Sequence, residues 1–566
     1  MNEHSEDKNC SNLAAEQAVL GLSRVSVRQQ SSFLRYAQEP FAADRKDGIF
    51  ALFSFILGYY FAHWVLFSWQ GWGVTLFTLG YCGTVTVYLL KKGVHIPREG
   101  WFWLAVVVLT GISFSLWTNN GLHPWRSLLL FCSAIYWIIC ATGLPILGKT
   151  SNLIGLDSLN AFFVIPLRNY GCQYKSLAYL SSNKRAEGRQ ILSIALGLFL
   201  TLIVASIVLP LLMKADSGGF ARITNGISTY LQGMRKEALE HFMYGILAIP
   251  IAAYLFGLVT GSAHKRGCDL FKKDSILKFI SDMRVLPTAT VYTLLGLICS
   301  LYVVFIGSQM PYFFSAFAGE RPEGWQVYSE YARSGFFELC RIAAINLTVL
   351  TMTTLLSKKH YRESMALKIL NSLLAILTLV LITTALSKMV MYIGAYGLSM
   401  RRLLPCLFMV FLAVICGGAV ALQKWSFSIM RLAVGSGVVM LCMFCLLDPD
   451  GFVTRYNADR YLAGTLRSFD AKILYRSGPA GVDSALKVYA QTDDQVLQTE
   501  LKDYLLAQQQ EAAHSIGQPE DCLQKARARQ KLRKVSHNIG VLPQEGIYGS
   551  YNAKIMLNDK KKTLKI

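Results

Sequence analysis

The stretch FMYGILAIPIAAYLFGLVTGS, from Phe242 to Ser262, decides the fold of this chain, because it is almost wholly apolar and contains no charged residue. A bilayer core of roughly 30 Å needs about 20 such residues in a helix, so this stretch is long enough to cross a membrane. Ten more apolar runs lie along the chain, separated mainly by short loops rich in Lys and Arg. The predicted spans are Ile49–Trp69, Trp72–Leu90, Trp101–Trp117, Ser127–Leu147, Ile191–Met213, Phe242–Ser262, Val285–Ile306, Ile342–Leu356, Ile369–Leu386, Leu403–Leu422 and Leu432–Leu447.

The composition supports a membrane protein and argues against a nucleic-acid-binding one. Of 566 residues, 53% are hydrophobic and only 16% are charged, which is rare in soluble proteins. Much of the net charge of +21 lies in loops between spans, where basic residues orient helices and contact anionic lipid head groups. We therefore predict an all-α fold, a polytopic transmembrane helix bundle of about 11 spans with a small, mostly helical C-terminal appendage. The expected partners are membrane lipids, including anionic head groups, and not nucleic acid.

The distribution of basic residues predicts the orientation of the bundle. The N-terminal segment and its alternate loops hold 27 Lys and Arg, against 11 in the other set, which favours a cytoplasmic N-terminus in a cell (inner) membrane. An odd number of spans then leaves the C-terminus outside, although the segment after Asp450 is itself basic. The predicted divisions are a polar cytoplasmic segment 1–47, the bundle 48–448, an extracytoplasmic helical appendage 449–534 and a basic tail 535–566.

No sequence motif predicts a cofactor or a metal site. Most of the 13 cysteines stand singly inside apolar runs, as small packing residues do. Cys442 and Cys445 form a CxxC, but it lies within the last span and lacks the strand and helix context of a redox motif. Metalloprotease and nucleophile-elbow motifs are absent from the sequence.

Three polar and aromatic segments are predicted to share the outer face. YSEYARSGFFELCRI (328–342) has Glu338 and Arg341 three residues apart on one helical face, where they can neutralise each other. KMVMYIGAYGLSMRRL (388–403) joins two spans, and Gly397 is expected to end the first of them. RYNADRY (455–461) follows the last span. The candidate ligand-binding residues are Tyr331, Arg333, Glu338, Arg341, Tyr392, Tyr396, Arg402, Arg455, Asn457, Arg460 and Tyr461.

Two interpretations of this cluster remain open. Arginine guanidinium groups pair with phosphate or carboxylate, which favours an anionic head group or polymer as ligand. Arg and Tyr at membrane boundaries also anchor helices, so a purely structural role explains the same residues.

The three segments resemble a bacterial family of polytopic membrane proteins, domain of unknown function 4173, and its sister family 4153. The resemblance covers Val285 to Gly464 well and rests on hydropathy further upstream. It implies an integral membrane protein with the architecture described above, and it implies no reaction and no catalytic residue.

Three functions fit these observations. The first is a non-enzymatic protein that handles or senses an envelope ligand at its outer face, through transport, lipid handling or signalling. The second is a membrane enzyme acting on a lipid-linked or cell-wall substrate, for which the loop carboxylates Glu330, Glu338 and Asp459 are available. The third is a scaffold that recruits partner proteins through its terminal segments.

Overall fold

The chain folds into a helical bundle with a C-terminal helical unit at one end. The structure, a computed structural model, describes residues 41–180, 197, 201, 236–267, 276, 278, 281–318, 336–358, 364–425, 427–514 and 516–539. Within these ranges the regular structure is helical, and the only β pairing is a single bridge between Leu286 and Ser357. The predicted all-α class is confirmed.

The first half of the bundle surrounds one large apolar core. Its largest buried side chains include those of Trp137, Phe114 and Phe256. The long helices of this half are α1 (Arg45–Tyr60, continued by a π turn over Phe61–Val65), α2 (Gly71–Lys91), α3 (Arg98–Leu116), α4 (His123–Ala141) and α8 (Lys236–Ala263). Between α4 and α8 lie the short helices α5 (Ile154–Leu159), α6 (Ile165–Arg168) and α7 (Cys172–Leu180).

The second half of the bundle has two smaller apolar cores, one near each end. Its helices are α9 (Thr288–Ala318), α10 (Phe336–Leu356), α11 (Met365–Tyr396), α12 (Met400–Leu422) and α13 (Ile429–Leu446). Helix α13 packs against both α12 and α3 and so joins the two halves.

Ten helical segments of the described chain are long and apolar enough to cross a membrane, and the protein is a multi-pass membrane protein. They coincide with ten of the eleven predicted spans. The remaining prediction, Ile191–Met213, lies outside the described residues except at positions 197 and 201.

We name the two ends of the bundle after a buried carboxylate at each. The Asp47 end is where α1 begins and α2 ends. The Asp450 end is where α2 begins and α13 ends.

The C-terminal unit, residues 449–539, lies at the Asp450 end. It consists of α14 (Pro449–Leu462), α15 (Ala471–Ser477), α16 (Val482–Tyr489), α17 (Gln495–His514) and α18 (Leu523–Ile539). Leu474, Leu501, Tyr504 and Leu532 are buried in a core of its own. The expectation of a small helical appendage is confirmed by these helices.

The first helix begins at Arg45, ahead of the predicted start at Ile49. The Asp44 side chain accepts a hydrogen bond from the Asp47 N–H (2.8 Å), and the Asp47 side chain accepts one from the Asp44 N–H (3.1 Å). This capping box satisfies N–H groups that the first turn leaves without helical partners. As a consequence Asp47, assigned to the polar N-terminal segment from the sequence, belongs to a helix of the bundle.

Candidate functional site

The described residues of the predicted outer cluster all lie at the Asp450 end. Glu338 and Arg341 are in the first turns of α10, Tyr392 and Tyr396 are in the last turns of α11, and Arg402 is in the first turn of α12. The other four, Arg455, Asn457, Arg460 and Tyr461, are on α14. Tyr331 and Arg333 lie outside the described residues.

Arg402 and Arg460 both bind the carboxyl end of α11. Arg402 donates hydrogen bonds to the carbonyls of Tyr396 (2.8 Å) and Gly397, and its guanidinium lies 4.3 Å from the centre of the Tyr392 ring. Arg460 donates to the Gly394 carbonyl (2.8 Å). The last carbonyls of a helix lack helical partners and carry partial negative charge, so both arginines stabilise this helix end.

Asn457 holds the turn between α11 and α12. Its side chain accepts a hydrogen bond from the Leu398 N–H and donates one to the Leu398 carbonyl, both at 2.7 Å. Gly397 ends α11 with a φ of +76°, and a Cβ there would lie 2.6 Å from Asn457 Oδ1. The prediction that Gly397 ends the helix is confirmed, and Asn457 ties the C-terminal unit to the bundle.

Three of the remaining predicted residues contact other parts of the protein, and the fourth, Arg341, is exposed. Glu338 is exposed and interacts electrostatically with Lys388 on α11. On α14, Arg455 lies 3.9 Å from the Asp448 carboxylate, and the Tyr461 hydroxyl lies 3.2 Å from that of Thr492. The structure therefore brings together Tyr392, Tyr396, Arg402, Asn457 and Arg460 as one group.

A second polar group, which the sequence interpretation missed, forms the junction between bundle and C-terminal unit. The Gln524 side chain, from α18, accepts hydrogen bonds from the Thr118 N–H (3.0 Å) and hydroxyl (2.7 Å) and donates one to Asp448 (3.0 Å). Asp450 accepts a hydrogen bond from the Gly121 N–H (3.0 Å). We call Thr118, Gly121, Asp448, Asp450 and Gln524 the junction.

Burial dominates the electrostatics of the two junction carboxylates. Asp448 and Asp450 are almost fully buried. Loss of solvation raises the pKa of Asp450 to about 6 and that of Asp448 above its usual value, although hydrogen bonds from backbone N–H groups oppose both shifts. The only sequence signal was the run DPDG at 448–451, in which an N-cap Asp and a Pro at the first helical position begin α14.

A buried arginine supports the bundle side of the junction. Arg126 is fully buried and donates hydrogen bonds to the carbonyls of Ser113, Trp117 and Thr118 at 3.3, 2.9 and 2.8 Å. Its guanidinium also lies 3.9 Å from the centre of the Phe114 ring. These contacts hold the carboxyl end of α3 and the loop that carries Thr118.

The loop before α18 closes the junction from the other side. The N–H groups of Trp72 and Gly73, in the first turn of α2, donate to the carbonyls of Asp521 (2.9 Å) and Pro519 (3.0 Å). A Cβ at Gly71 would lie 2.3 Å from the Pro519 carbonyl oxygen. The C-terminal unit thus caps the beginning of a membrane-spanning helix with its own backbone.

The Asp47 end contains a third polar group, a buried charge network. The carboxylate of Asp47 is fully buried, and it lies 2.7 Å from Lys92 Nζ, 2.7 Å from the Tyr88 hydroxyl and 3.2 Å from His264 Nε2. Lys92 also pairs with Asp44 at 2.9 Å. The sequence interpretation missed this group because its members come from three distant segments that meet only in the folded bundle.

Among the described residues, no three His, Cys, Asp or Glu side chains are grouped so as to hold a metal ion. What the described polar groups do is neutralise buried charge, cap helix ends and join the C-terminal unit to the bundle.

Comparison with known proteins finds one protein family whose model matches this chain. The model of the domain of unknown function DUF4153 matches residues 104–488. No curated protein and no solved structure matches. The match corrects the resemblance drawn from the sequence, which ranked family 4173 first and 4153 as its sister, and it extends well upstream of Val285. Because it spans more than half of the chain, from within α3 to within α16, this protein belongs to the DUF4153 family.

Proposed function

We propose that this protein senses an anionic ligand of the cell envelope at the Asp450 end, and that the C-terminal unit and the membrane bundle respond to it as one body. The ligand binds among the basic residues of the C-terminal unit. The junction transmits the effect of binding to the beginning of α2 and the carboxyl end of α3.

The observation that carries this proposal is that the Gln524 side chain forms hydrogen bonds with two separate parts of the protein. One side chain on α18 binds both Thr118, in the loop between α3 and α4, and Asp448, at the end of α13. It is buried, and a buried amide that loses its partners costs about 1–3 kcal/mol. Movement of α18 therefore carries an energetic cost at the bundle, which is the physical requirement for coupling between two sites.

The Asp450 end is proposed to face the outside of the cell, with the N-terminus in the cytoplasm. The excess of Lys and Arg on the opposite side supports this orientation. The proposed eleven crossings are supported by the described helices. Leu180 packs against Gly48 at the Asp47 end, whereas the His241 ring bonds the Tyr59 hydroxyl (2.8 Å) towards the Asp450 end. The eleventh crossing is proposed between these two residues.

Hydrogen–deuterium exchange of the full chain tests the coupling. The protein is reconstituted in nanodiscs of phosphatidylcholine, with or without phosphatidylglycerol as the anionic probe. We expect the anionic lipid to slow exchange in residues 117–122 and 71–73, which contact the C-terminal unit. Gln524→Leu is expected to abolish this difference, because Leu can neither accept the two hydrogen bonds from Thr118 nor donate the one to Asp448.

Gln491→Leu is the matched control, since Gln491 is exposed on the C-terminal unit and lies outside the junction. It is expected to leave the lipid-dependent difference intact. Equal exchange in the two lipid compositions for the wild-type protein, or an unchanged difference in Gln524→Leu, would refute the coupling.

A further inference from the structure

Three sulfur-containing side chains from two membrane-spanning helices meet near the Asp450 end of the bundle. The Cys340 thiol, on α10, donates a hydrogen bond to the Met409 thioether, on α12, and the two sulfur atoms are 3.2 Å apart. Cys406 lies three residues before Met409 and so shares a face of α12 with it. Cys406 is also close enough to Cys340 to interact with it electrostatically. We call Cys340, Cys406 and Met409 the sulfur group.

The fold, and not a local motif, brings the sulfur group together. Cys340 and Met409 are 69 residues apart in the sequence and meet because α10 and α12 are in contact. Both cysteines are free thiols. The group therefore has the composition of a metal site whose ligands come from separate segments of the chain.

Packing fixes one member of the group and leaves the other two accessible. Met409 is fully buried in the apolar core that also contains Phe336 and Met389. Cys340 and Cys406 are only partly buried at the edge of this core. The thioether is thus held in place, and an ion can reach the two thiols without unfolding of the bundle.

A proline gives Cys406 some freedom to move. Pro405 lies inside α12, directly before Cys406. Proline has no N–H group, so the carbonyl of Arg401, four residues earlier, receives no helical hydrogen bond from this position. Since this turn of α12 is held by one hydrogen bond fewer, a small shift of Cys406 towards a shared ion disturbs the helix little.

The kind of ligand selects the kind of metal. Thiolate and thioether sulfurs are soft ligands, which select Cu(I), whereas Mg²⁺ and Ca²⁺ take oxygen ligands. Two sulfur atoms that bind one metal ion, with bonds of about 2.3 Å, lie no more than about 4.6 Å apart. The 3.2 Å between Cys340 and Met409 is within that limit, so α10 and α12 already stand at a distance that allows them to share an ion.

We infer that the sulfur group binds one Cu(I) ion, with the Cys340 and Cys406 thiolates and the Met409 thioether as its three ligands. Each thiol releases its proton to solvent when it bonds to the metal, so the loaded site carries one net negative charge. Lys388 interacts electrostatically with Glu338, two residues before Cys340, and so places a cation near this charge. The site goes beyond the proposed sensing of an anionic ligand and does not depend on it.

Competition for Cu(I) tests the site. The full chain, purified in neutral detergent under reducing, oxygen-free conditions, is titrated into the coloured complex of Cu(I) with bicinchoninate. We expect the protein to withdraw one Cu(I) per chain. Cys340→Ser, Cys406→Ser and Met409→Leu are each expected to weaken binding at least about 10-fold, because loss of even an outer-shell partner weakens metal binding by about 10–100-fold.

The matched control is Cys416→Ser. Cys416 is buried in the same core and on the same helix, about 15 Å farther along the axis from Cys406. It is expected to leave the affinity for Cu(I) unchanged. Met409→Leu conserves volume and apolar character, so its loss of affinity reports the missing sulfur and not unfolding.

Two further measurements check the ligands and the fold. X-ray absorption at the copper edge is expected to show only sulfur neighbours in the wild-type protein. Because a ligand that binds only the folded state raises its stability, Cu(I) is expected to raise the unfolding midpoint of the wild type and of Cys416→Ser, but not that of Met409→Leu.

Several results would overturn the site. They are a wild-type protein that withdraws no Cu(I) from bicinchoninate, an unchanged affinity in Met409→Leu, equal weakening in Cys416→Ser and Cys340→Ser, and nitrogen or oxygen neighbours around the bound copper. Binding of Zn²⁺ as tight as that of Cu(I) would overturn the assignment of the metal. The first of these results would reduce the contact between Cys340 and Met409 to ordinary packing.

Discussion

Replacement of Lys92 by Met is expected to destabilise the bundle strongly, because it leaves Asp47 as a buried carboxylate without its closest cation. Lys92 Nζ lies 2.7 Å from Asp47, whose side chain is fully buried, and Lys92 itself is only 12% exposed. Coulomb's law gives about 6 kcal/mol for such a pair at an effective dielectric constant of about 20. The desolvation of the two charges offsets part of this Coulomb energy. Removal of one partner from a buried ion pair lowers the free energy of unfolding by about 3–5 kcal/mol.

The substitution Asp47→Asn, on the other side of the ion pair, is expected to lower the free energy of unfolding by less than Lys92→Met does. Lys92 keeps Asp44 as a partner at 2.9 Å, and Tyr88 and His264 remain near the new amide. The double variant Lys92→Met, Asp47→Asn removes both buried charges, so it is expected to be more stable than Lys92→Met alone. A double-mutant cycle then isolates the interaction between the two side chains.

The assay is the unfolding free energy of the full chain in mixed micelles, measured by titration with a denaturing detergent. Lys91→Met is the control, because Lys91 ends the same helix but its side chain is exposed. Exposed substitutions of this kind usually change stability by less than about 0.5 kcal/mol. Equal losses for Lys91→Met and Lys92→Met, or a coupling energy near zero in the cycle, would refute the reasoning.

Three further predictions concern the Asp450 end. Gly397→Ala is expected to lower the unfolding free energy by at least about 1–2 kcal/mol, because φ is +76° and the new Cβ would meet Asn457; an unchanged unfolding midpoint would contradict this. The raised pKa of Asp450, about 6, means that the folded state binds more protons than the unfolded state between about pH 4 and 6. Its contribution to stability is therefore complete below about pH 4 and is lost as the pH rises through 6, and Asp450→Asn is expected to flatten the stability profile in that window; an unaltered profile would count against the assignment. Arg460→Ala is expected to lower the free energy of unfolding by about 1–2 kcal/mol, because the last carbonyls of α11 lose the arginine that binds them. Arg341→Ala, at an exposed position, is expected to lower it by less than about 0.5 kcal/mol; equal losses for the two variants would refute the helix-capping role.

The fold was largely predictable because hydropathy reports burial in lipid residue by residue. The span predicted at Phe242–Ser262 lies within α8, and Gly397 ends α11 as its conformational freedom suggested. Helix starts were less accurate. The predicted start at Ile49 excluded Asp47, because hydropathy treats a charged residue as exposed even when a lysine neutralises it and a tyrosine donates a hydrogen bond to it inside the bundle.

The candidate site was predictable only in part. The sequence pattern predicts that Arg402 and Arg460 lie at the same end of the bundle. It does not reveal that their guanidinium groups donate hydrogen bonds to backbone carbonyls at the end of α11. Gln524 and Thr118 are separated by about 400 residues, and neither belongs to a recognisable motif. Their contact depends on how the C-terminal unit packs on the bundle, which no local pattern encodes.

The side of the membrane that holds the C-terminus tests the central claim most directly, since an envelope ligand reaches the Asp450 end only from outside the cell. Alkaline phosphatase and a cytoplasm-dependent fluorescent protein are fused in parallel after Ile566 and expressed in a bacterial host. The proposed eleven crossings and cytoplasmic N-terminus predict active phosphatase and a dark fluorescent protein. Bright fluorescence with inactive phosphatase would put the C-terminal unit in the cytoplasm and contradict the sensing of an envelope ligand.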